Sequence, residues 1–451
     1  MPPQLILINP WIHDFAAYDL WSKPLGLLIL ASRLRHSGFR IRLIDCLDVH
    51  HPGMDGDPNQ TRPVRRLYGT GKFWRERVPK PALLKDIPRP YSRYGISRQL
   101  FRKDMEEVKA PTAILVTSLM TYWYPGVQEA VRLCREAHPG VPVILGGIYA
   151  RLCRDHAIRY AGADHVITES VPEAAESLLG ILAGCGVGPD RKGLPARGKT
   201  PYPALDLLYG IDYVPLLTST GCPYRCTYCA SRFLNPRPER RDPYDVLEEI
   251  LFWHERFGVR DFAFYDDALL ADAPTHLSAL LEALVRRRLK LRFHTPNALH
   301  VRGITPETAR LLFQAGFRTI RLGLETSDME LQHETGGKVA EGEFERAVEN
   351  LLRVGYGKSE IGAYVLMGLP GQSAESVRAT LEFVDRTGAS PYLAEYSPIP
   401  HTPLWEKAIA RSTYDLASEP LFHNNTLMPC WDEENRSRVQ ELKGLAKTMR
   451  R

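Results

Sequence analysis

Three cysteines stand close together near the middle of the chain, at Cys222, Cys226 and Cys229. They have the spacing C-x3-C-x2-C and follow directly on an apolar run at residues 214–217. Thiolates are soft ligands that suit iron–sulfur clusters and zinc, and this spacing is short enough for one loop to present all three to one metal centre. Three ligands are one fewer than a closed four-thiolate site requires, so one metal position would stay open for a substrate or a cofactor.

Two plainer explanations of these cysteines exist. A structural zinc ribbon would need a second pair of Cys or His residues nearby, and no such pair follows the triad. Three buried free thiols would need no metal at all. A further cysteine, Cys430, is interpreted as a buried thiol, with a fourth cluster ligand or a catalytic thiol as the alternative.

Apolar runs in the second half of the chain predict a set of strands that alternate with helices. The strands are expected at residues 214–220, 261–265, 291–295, 319–324, 361–367 and 392–396, and the helices near 244–257, 273–288, 305–315, 341–353 and 374–387. Six βα repeats predict a partial TIM-type barrel, open at one side, in which chemistry takes place at the carboxyl ends of the strands.

The residues that follow those strands could do chemistry or close a turn. They are Asp266, Asp267, Asn297, Glu325, Gly368, Pro370 and the segment 397–401. Any one of them alone is as well explained as a helix N-cap or a turn residue. Several of them in register with a cysteine triad are harder to explain in that way, so we predict a site at this end of the barrel.

The first part of the chain predicts a separate Rossmann-like parallel sheet. Apolar runs at residues 5–8, 40–45, 113–118, 142–147 and 165–168 alternate with helical segments, which indicates βαβ units. Ligands of such sheets bind beyond the carboxyl ends of the strands. The residues at or just after those ends are Asn9, Thr117, Ser118, Gly146, Gly147, Tyr149 and Glu169.

The cysteine motif and the residues around it resemble the radical S-adenosylmethionine (SAM) superfamily. The resemblance implies that the three cysteines hold a [4Fe-4S] cluster and that SAM chelates the open iron. It places Tyr228 near the adenine. The run Arg-Leu-Gly-Leu-Glu-Thr resembles the family's G-x-E-[ST] strand, so Glu325 would hydrogen-bond SAM.

The resemblance extends to the other strand ends of the predicted barrel. Gly-Leu-Pro-Gly-Gln is similar to the family's fifth-strand turn, which implies that Gly368 and Pro370 lie on the adenine side. Asp266 and Asp267 would contact the SAM amino group or the substrate. Asn297 matches a position where the family holds SAM or substrate.

The predicted first sheet resembles the cobalamin-binding domain that precedes many radical SAM cores. The resemblance rests on Leu-Gly-Gly-Ile-Tyr at the end of one strand and Gly-Ala-Asp-His-Val-Ile before the next. It implies that the strand-end residues of this sheet contact cobalamin. The motif D-x-H-x-x-G, which supplies a lower axial histidine elsewhere, is missing: Asp48, His50 and His51 are misspaced, so a histidine-off form is expected. A Rossmann-like domain without a ligand is the alternative.

Length and composition set the wider limits. The chain has 451 residues, with 44% hydrophobic and 25% charged residues, as in soluble globular proteins of more than one domain. No apolar run approaches the ~18 residues of a membrane span, and no basic segment precedes the first strand, so we expect no membrane association and no signal peptide. Eight cysteines without a disulfide pattern fit a reducing cytosol, and hence a cytoplasmic location. The net charge of +5 does not indicate nucleic acid.

These observations predict four segments. Residues 1–185 form the cobalamin-binding-like domain, with an insertion at 48–109 that lacks clean periodicity and is interpreted as a loop between the domains. Residues 186–210 form a linker, 211–400 the radical SAM core, and 401–451 a short, mainly helical extension.

The resemblance also implies a reaction. The cluster would cleave SAM to a 5′-deoxyadenosyl radical with an electron from an external donor of the flavodoxin or ferredoxin type. Cobalamin would deliver a methyl group to an unactivated carbon of a small molecule or peptide. The alternatives are a cobalamin-associated rearrangement or cyclisation, a methylthiotransferase, and a non-catalytic cobalamin or cluster sensor.

Overall fold

The structure is a computed structural model that describes residues 2–55, 62–184 and 201–450. The chain divides into two compact units, Met1–Asp212 and Tyr213–Arg451. The described strands of the first unit are β1 (Gln4–Asn9), β2 (Ile12–Asp14), β3 (Tyr18–Asp19), β4 (Arg40–Asp45), β5 (Gly71–Lys72), β6 (Arg75–Arg77), β7 (Ser92–Tyr94), β8 (Ala113–Val116), β9 (Val143–Leu145) and β10 (His165–Val166). Its helices are α1 (Leu25–His36), α2 (Arg98–Glu106), α3 (Tyr124–Ala137), α4 (Ile148–Leu152), α5 (Arg154–Tyr160) and α6 (Val171–Gly184).

A parallel five-stranded sheet forms the centre of the first unit. The strand order is β10-β9-β8-β1-β4, and every pair along it is parallel. The apolar side chains of the interior strand β1, Leu5 to Ile8, have no exposed surface, as expected for a strand covered on both faces. From β1 the chain forms the edge strand β4 and then returns to form β8, β9 and β10 on the other side of β1. The carboxyl ends of β1 and β8 are therefore the topological switch point, where such sheets bind ligands.

The prediction that residues 48–109 form a loop is wrong. This segment contains β5, β6, β7 and α2, and the strand β7 pairs antiparallel with both β2 and β6. Trp11 anchors the region, since its indole N–H donates to the carbonyl of Ile96 at 2.6 Å and its ring packs on Phe101. Strands of two or three residues are too short to show a period of two, which is why the sequence did not reveal them.

The predicted linker also differs from the structure where the two can be compared. Residues 185–200 lie outside the described part of the chain, but residues 201–210 pack on the first unit. The backbone N–H of Ala204 donates to the carbonyl of Leu28 at 3.0 Å, and Asp206 forms an ion pair with Arg35 at 2.7 Å. Leu205 is fully buried, so apolar burial holds this end of the segment in place.

The described strands of the second unit are β11 (Val214–Leu216), β12 (Ser219–Thr220), β13 (Glu239–Arg240), β14 (Asp261–Phe264), β15 (Arg292–His294), β16 (Leu299–His300), β17 (Phe317–Glu325), β18 (Ile361–Met367) and β19 (Ser390–Glu395). The helices are α7 (Ser231–Leu234), α8 (Pro243–Phe257), α9 (Leu277–Arg287), α10 (Pro306–Ala315), α11 (Met329–Glu334), α12 (Glu343–Arg353), α13 (Ala374–Thr387), α14 (Trp405–Arg411), α15 (Glu433–Ser437) and α16 (Val439–Met449).

Six parallel strands in the order β11-β14-β15-β17-β18-β19 form the sheet of the second unit. β16 adds to the carboxyl half of β17. Phe262, Phe264, Phe293 and Phe317 pack together in its core, with the rings of Phe264 and Phe317 stacked at 5.5 Å. The predicted fold class, a Rossmann-like parallel sheet followed by a partial (β/α)6 barrel and a mainly helical end, is confirmed. No helix in the described ranges is long and apolar enough to cross a membrane.

Candidate active site

The three cysteines lie on one loop, residues 217–230, which we call the cysteine loop. It leaves β11, forms the short strand β12 against β13, and carries Cys222 and Cys226 partly exposed and Cys229 exposed. Gly221 begins the turn at φ 78°, where a side chain would be strained and would press on Pro238. A single loop therefore presents all three thiols at the carboxyl end of a barrel strand, as the spacing predicts.

Asp266, at the end of β14, fixes the base of this loop. Its buried carboxylate accepts hydrogen bonds from the backbone N–H and hydroxyl of Thr218, at 3.1 and 2.7 Å, and from the same two groups of Ser219, both at 2.7 Å. Burial raises the pKa of Asp266, and these hydrogen bonds oppose the shift. The structure thus uses Asp266 to hold the loop, whereas the sequence assigned it a contact with SAM or substrate.

The neighbouring carboxylate, Asp267, is exposed and stays available for a ligand. It accepts a hydrogen bond from the hydroxyl of Ser231 at 2.6 Å. The third predicted residue of this group, Asn297, donates its side-chain N–H to the carbonyls of Tyr265 and Asp266, at 2.8 and 3.2 Å. Asn297 therefore links the segments that follow β14 and β15.

The three thiols suit a metal centre, because a cysteine binds a metal as a thiolate, after losing its proton. Burial raises the pKa of Cys222 to about 11 and also raises that of Cys229, and nearby Asp267 adds to both shifts. The thiols are close enough for Cys226 to contribute as well. A metal centre would replace the protons and supply the positive charge that makes the thiolates stable there.

The described residues contain no group of three His, Cys, Asp or Glu side chains that could converge on a single metal ion. The ligands of an iron–sulfur cluster bind different irons, so they do not need to meet at one point. The donor set of three thiols on one loop fits such a cluster.

The segment after α11 supports the cysteine loop from its other side. The backbone N–H of Thr227 donates to the carbonyl of Thr335 at 3.1 Å. At Gly336, where φ is 112°, a Cβ atom would lie 2.7 Å from the carbonyl oxygen of Arg225 and 3.0 Å from the Cα of Cys226. Only glycine permits this close approach of the two backbones. The sequence carries one signal for this support, the Gly-Gly pair that follows a helix, and the support was not predicted from it.

A buried ion pair lies beside the cysteine loop. The ammonium of Lys338 contacts a carboxylate oxygen of Glu325 at 2.7 Å, and the side chains are 14% and 8% exposed. Burial opposes the charge of Lys338, but the carboxylate of Glu325 outweighs it and raises the pKa of Lys338, with Cys226 and Cys229 adding to the effect. The predicted Glu325 is therefore in place, and Lys338 is a residue that the sequence did not reveal.

The backbone of Glu325 explains how its side chain reaches this position. Glu325 has φ 71°, an uncommon value for a residue other than glycine, and the register between β17 and β18 shifts between Gly323 and Glu325. A bulge of this kind turns a side chain away from its regular direction and is common near active sites. Gly323 leaves room for the ammonium of Lys338, which a Cβ atom would overlap.

Tyr228 lies between the cysteines and an apolar cluster. Its ring packs against the cluster that includes Leu366, Leu369 and Tyr396. Its hydroxyl is buried and has no hydrogen-bond partner among the described residues, and Glu325 and Cys226 are near enough to affect its pKa. An unsatisfied buried hydroxyl is expected where a ligand completes the site.

The predicted fifth-strand turn lies next to the same region. Gly368 has φ 102°, and a Cβ atom there would lie 2.9 Å from the sulfur of Met428. Pro370 lines a cavity of about 250 Å³ together with Thr227 of the cysteine loop and Lys407 of α14. The structure thus brings Tyr228, Glu325 and Pro370 to the surroundings of the cysteine loop, and places Gly368 in the same turn as Pro370.

The predicted cofactor residues of the first unit mostly hold its sheet edge together. Asn9 donates to Asp45 at 2.7 Å, and the hydroxyl of Ser118 donates to the carbonyl of Gly146 at 2.7 Å. Gly147, at φ 99°, lets its turn close on Ser118, where a Cβ atom would overlap the carbonyl oxygen. These residues are buried or packed, so the structure gives them a supporting position.

Two other predicted residues are likewise engaged. Tyr149 is fully buried and hydrogen-bonded to His156 at 2.7 Å. Glu169 accepts hydrogen bonds from the backbone N–H of Thr168 and the hydroxyl of Ser177, at 2.8 and 2.9 Å.

The accessible surface of this edge is formed by other groups. Thr117 and Gly146 are partly exposed, and beside them Met120 is 48% and Ile148 37% exposed. The backbone N–H of Ile148 donates to the carbonyl of Ser118 at 2.7 Å, which keeps the two turns together. The switch point of the sheet thus presents apolar side chains as well as backbone. Neither Met120 nor Ile148 was predicted from the sequence.

The two histidines near the missing lower-ligand motif are already bonded. Nε2 of His50 lies 2.8 Å from Asp212, and Nε2 of His51 lies 2.9 Å from Asp104. The backbone N–H of Gly53 donates to Nδ1 of His51 at 3.1 Å.

Residues 216–384 match the family model described as the radical SAM superfamily. These residues form a radical SAM domain. The prediction made from the cysteine motif and the G-x-E-[ST] strand is therefore confirmed, and the matched range contains the cysteine loop, Glu325, Lys338 and the fifth-strand turn.

Several named proteins are similar to this chain in sequence. The chain is similar to hopanoid C-2 methylase of Rhodopseudomonas palustris, with 25% identity over 62% of this chain and 55% of the relative. It is also similar to cytidylyl-2-hydroxyethylphosphonate methyltransferase of Streptomyces wedmorensis, with 24% identity over 91% of this chain and 83% of the relative. The chain spans about half the length of several other curated relatives that it matches.

The fold extends beyond the radical SAM domain. The structure of the radical SAM methyltransferase TsrM from Kitasatospora setae, with cobalamin and a [4Fe-4S] cluster bound, aligns with a TM-score of 0.67. The alignment covers 99% of this chain and 91% of TsrM at 18% identity. Both units of this chain therefore have counterparts in that fold.

Proposed function

We propose that the protein is a cobalamin-dependent radical SAM methyltransferase that acts on an unactivated carbon. The observation that carries the proposal is the placement of the cysteine loop beside the buried Glu325–Lys338 pair and the unsatisfied hydroxyl of Tyr228. When bound, the [4Fe-4S] cluster supplies the electron that cleaves SAM to a 5′-deoxyadenosyl radical, and cobalamin carries the methyl group.

The residues of the second unit fit SAM as the ligand of this site. The amino-acid part of SAM carries one ammonium and one carboxylate, and Glu325 and Lys338 offer the complementary charges in a buried position, where charges attract strongly. Tyr228 offers a hydroxyl beside them. The work of these side chains is to orient SAM and to exclude water from the reactive carbon.

The edge of the first unit fits the flat, largely apolar face of a corrin. Met120 and Ile148 expose apolar surface at the switch point, and the turn at Gly146 and Gly147 allows backbone to approach closely. Neither Nε2 of His50 nor Nε2 of His51 is free to bind cobalt, because each is bonded to a carboxylate. This supports a histidine-off cobalamin.

The relatives named as methyltransferases have the same type of reaction in their names but different substrates. Their names therefore support methyl transfer as the reaction and do not indicate a particular methyl acceptor. We propose a small molecule or a peptide as the substrate class. The electron comes from an external donor, a reduced flavodoxin or ferredoxin, since the chain itself offers one cysteine triad.

The test follows the methyl group of SAM. Reconstituted protein is incubated with a reductant, cobalamin and SAM that carries a deuterated methyl group, and the nucleosides and cobalamin are analysed by mass spectrometry. We expect both S-adenosylhomocysteine and 5′-deoxyadenosine, with the label on cobalamin. The Glu325→Gln variant removes the negative charge with little change of shape, so it should keep its iron and form neither nucleoside.

Formation of 5′-deoxyadenosine alone, with no label on cobalamin, would contradict the proposal. It would assign the protein to a rearrangement, a cyclisation or another radical reaction and leave the radical SAM assignment intact.

A further inference from the structure

His300 is a buried histidine whose ring touches the cysteine loop. It ends the short strand β16, where it lies opposite Gly323 of β17. Its imidazole stacks on the ring of Tyr224, with the ring centroids 4.0 Å apart and an angle of 24° between the planes. Tyr224 stands between Cys222 and Cys226 in the sequence, so His300 packs directly on the part of the loop that joins two of the three thiols.

One nitrogen of this imidazole has a partner and the other has none. His300 is 4% exposed, and its Nδ1 accepts a hydrogen bond from the backbone N–H of Arg302 at 3.4 Å. Burial lowers the pKa of His300 to about 4, and the cations Lys338 and Arg302 add to the shift, so the ring is neutral at pH 7. Because Nδ1 accepts, the proton of the neutral ring is on Nε2.

Nε2 is thus a buried donor, and it has no hydrogen-bond partner within the part of the chain that the structure describes. The carboxylates near this imidazole already have hydrogen-bond partners. Glu325 is bonded to Lys338, and Glu343 accepts from the guanidinium of Arg302 and from the backbone N–H of Ala340. A buried donor without an acceptor is costly, and it is expected to be satisfied when the site is filled. The acceptor must then come from a group that the protein binds.

We propose that Nε2 of His300 donates a hydrogen bond to the sulfur of the [4Fe-4S] cluster held by the cysteine loop and thereby raises the reduction potential of the cluster. This inference rests on the cluster of the proposed function. The stack on Tyr224 brings the ring to the loop that holds the cluster, and the positive charges of Lys338 and Arg302 favour an electron-rich acceptor in the same place. A hydrogen bond to a cluster sulfur stabilises the reduced, more negative state and so raises the potential.

The test compares two variants of His300 with a control variant at a histidine elsewhere in the chain. His300→Phe keeps an aromatic ring for the stack on Tyr224 but has no N–H, whereas His300→Gln keeps a donor. His254→Phe is the control, because His254 lies near the end of α8 and hydrogen-bonds to Val259. Each reconstituted protein is titrated with reductant in the absence of SAM, and the reduced cluster is followed by electron paramagnetic resonance.

We expect His300→Phe to retain its iron and to have a midpoint potential more negative than that of the wild type. His300→Gln should lie closer to the wild type, and His254→Phe should be unchanged. If His300→Phe loses its iron while His300→Gln keeps both iron and potential, the result still assigns the donor to the cluster.

Two results would overturn the inference. The first is an unchanged potential in His300→Phe; if this variant also binds SAM several-fold more weakly, SAM is the acceptor. The second is loss of iron in both variants with unchanged circular dichroism, which would assign His300 to the folding of the loop alone. A wild type that assembles no cluster would instead refute the proposed function, while a wild type with a cluster but no methyl transfer would leave this test valid.

Discussion

At the scale of single residues, Gly336 determines whether the cysteine loop can follow its path. A side chain at this position would meet the backbone at Arg225 and Cys226, and backbone cannot move aside as a flexible side chain can. We therefore expect Gly336→Ala to lower the free energy of unfolding by about 2–4 kcal/mol and to reduce the iron content after reconstitution.

The next residue provides the matched control. Gly337 also has a positive φ, 61°, but a Cβ atom there would meet nothing within 4 Å. Gly337→Ala should cost only about 1 kcal/mol and keep its iron. Equal iron content in the two variants would show that the close approach at Gly336 has no role in positioning the thiols.

A second residue-scale prediction concerns Asp45 in the first unit. Burial raises the pKa of its carboxyl from 3.8 to about 6, so the folded state binds the proton more tightly than the unfolded state. The contribution of Asp45 to the free energy of unfolding of the wild type therefore falls as the pH rises from about 4 through 6. Asp45→Asn can still accept from Asn9 and carries no charge. We expect it to be more stable than the wild type at pH 7 by up to about 3 kcal/mol.

The pH dependence makes this prediction specific. The advantage of Asp45→Asn should shrink by about 1 kcal/mol between pH 7 and pH 5, measured by urea unfolding at each pH. An advantage that does not change with pH would mean that the wild-type carboxyl titrates normally in the folded protein.

At the scale of elements, Asp266 joins the exit of β11 to the end of β14. Its carboxylate accepts from the backbone N–H groups and hydroxyls of Thr218 and Ser219, which stand at the base of the cysteine loop. Asp266→Ala leaves those buried donors without a partner, at a cost of about 1–3 kcal/mol, and frees the loop. We expect a clear loss of iron in this variant, measured after anaerobic reconstitution.

Asp267→Ala is the control for Asp266→Ala, because Asp267 is exposed and lies one residue further on. It should keep its full iron content. If Asp266→Ala retained its iron as well, the anchoring role of Asp266 would be wrong and the predicted contact with SAM or substrate would again be the better account.

The elements that the sequence revealed are those with long apolar runs. Apart from the two-residue strand β16, the strands of both parallel sheets were predicted within a few residues, since buried parallel strands read as continuous hydrophobic segments. The strands β5, β6 and β7 were not, because they are two or three residues long and depend on pairing with distant residues.

The site was predicted unevenly for the same physical reason. The cysteine triad and Glu325 belong to local patterns, and the sequence displays them directly. The partner Lys338 depends on a bulge in β17, and His300 depends on a stack with Tyr224, which is distant in the sequence, so neither has a local signal. The position of Asp266 at a strand end was predicted from the sequence, but its hydrogen-bond partners were not. They are Thr218 and Ser219 rather than a ligand.

At the scale of the whole molecule, a Rossmann-like unit and a radical SAM domain occur in one chain, and each can be tested for the cofactor proposed for it. We expect bound cobalamin to show a spectrum without histidine coordination. His50→Ala and His51→Ala should leave this spectrum unchanged, because the Nε2 atoms of both histidines are bonded to carboxylates. A spectral shift in either variant would identify an axial ligand that the structure does not suggest.

The central claim, that the cysteine loop holds a cluster that cleaves SAM, is tested most directly by measuring 5′-deoxyadenosine. The reconstituted wild type, the triple variant with Cys222, Cys226 and Cys229 replaced by alanine, and the control Cys430→Ala are each incubated with SAM and a reductant. We expect the wild type and Cys430→Ala to bind about four irons per chain and to form 5′-deoxyadenosine, and the triple variant to do neither. The claim would be contradicted by a triple variant that keeps its iron and its product, or by a wild type that holds a full cluster and leaves SAM intact.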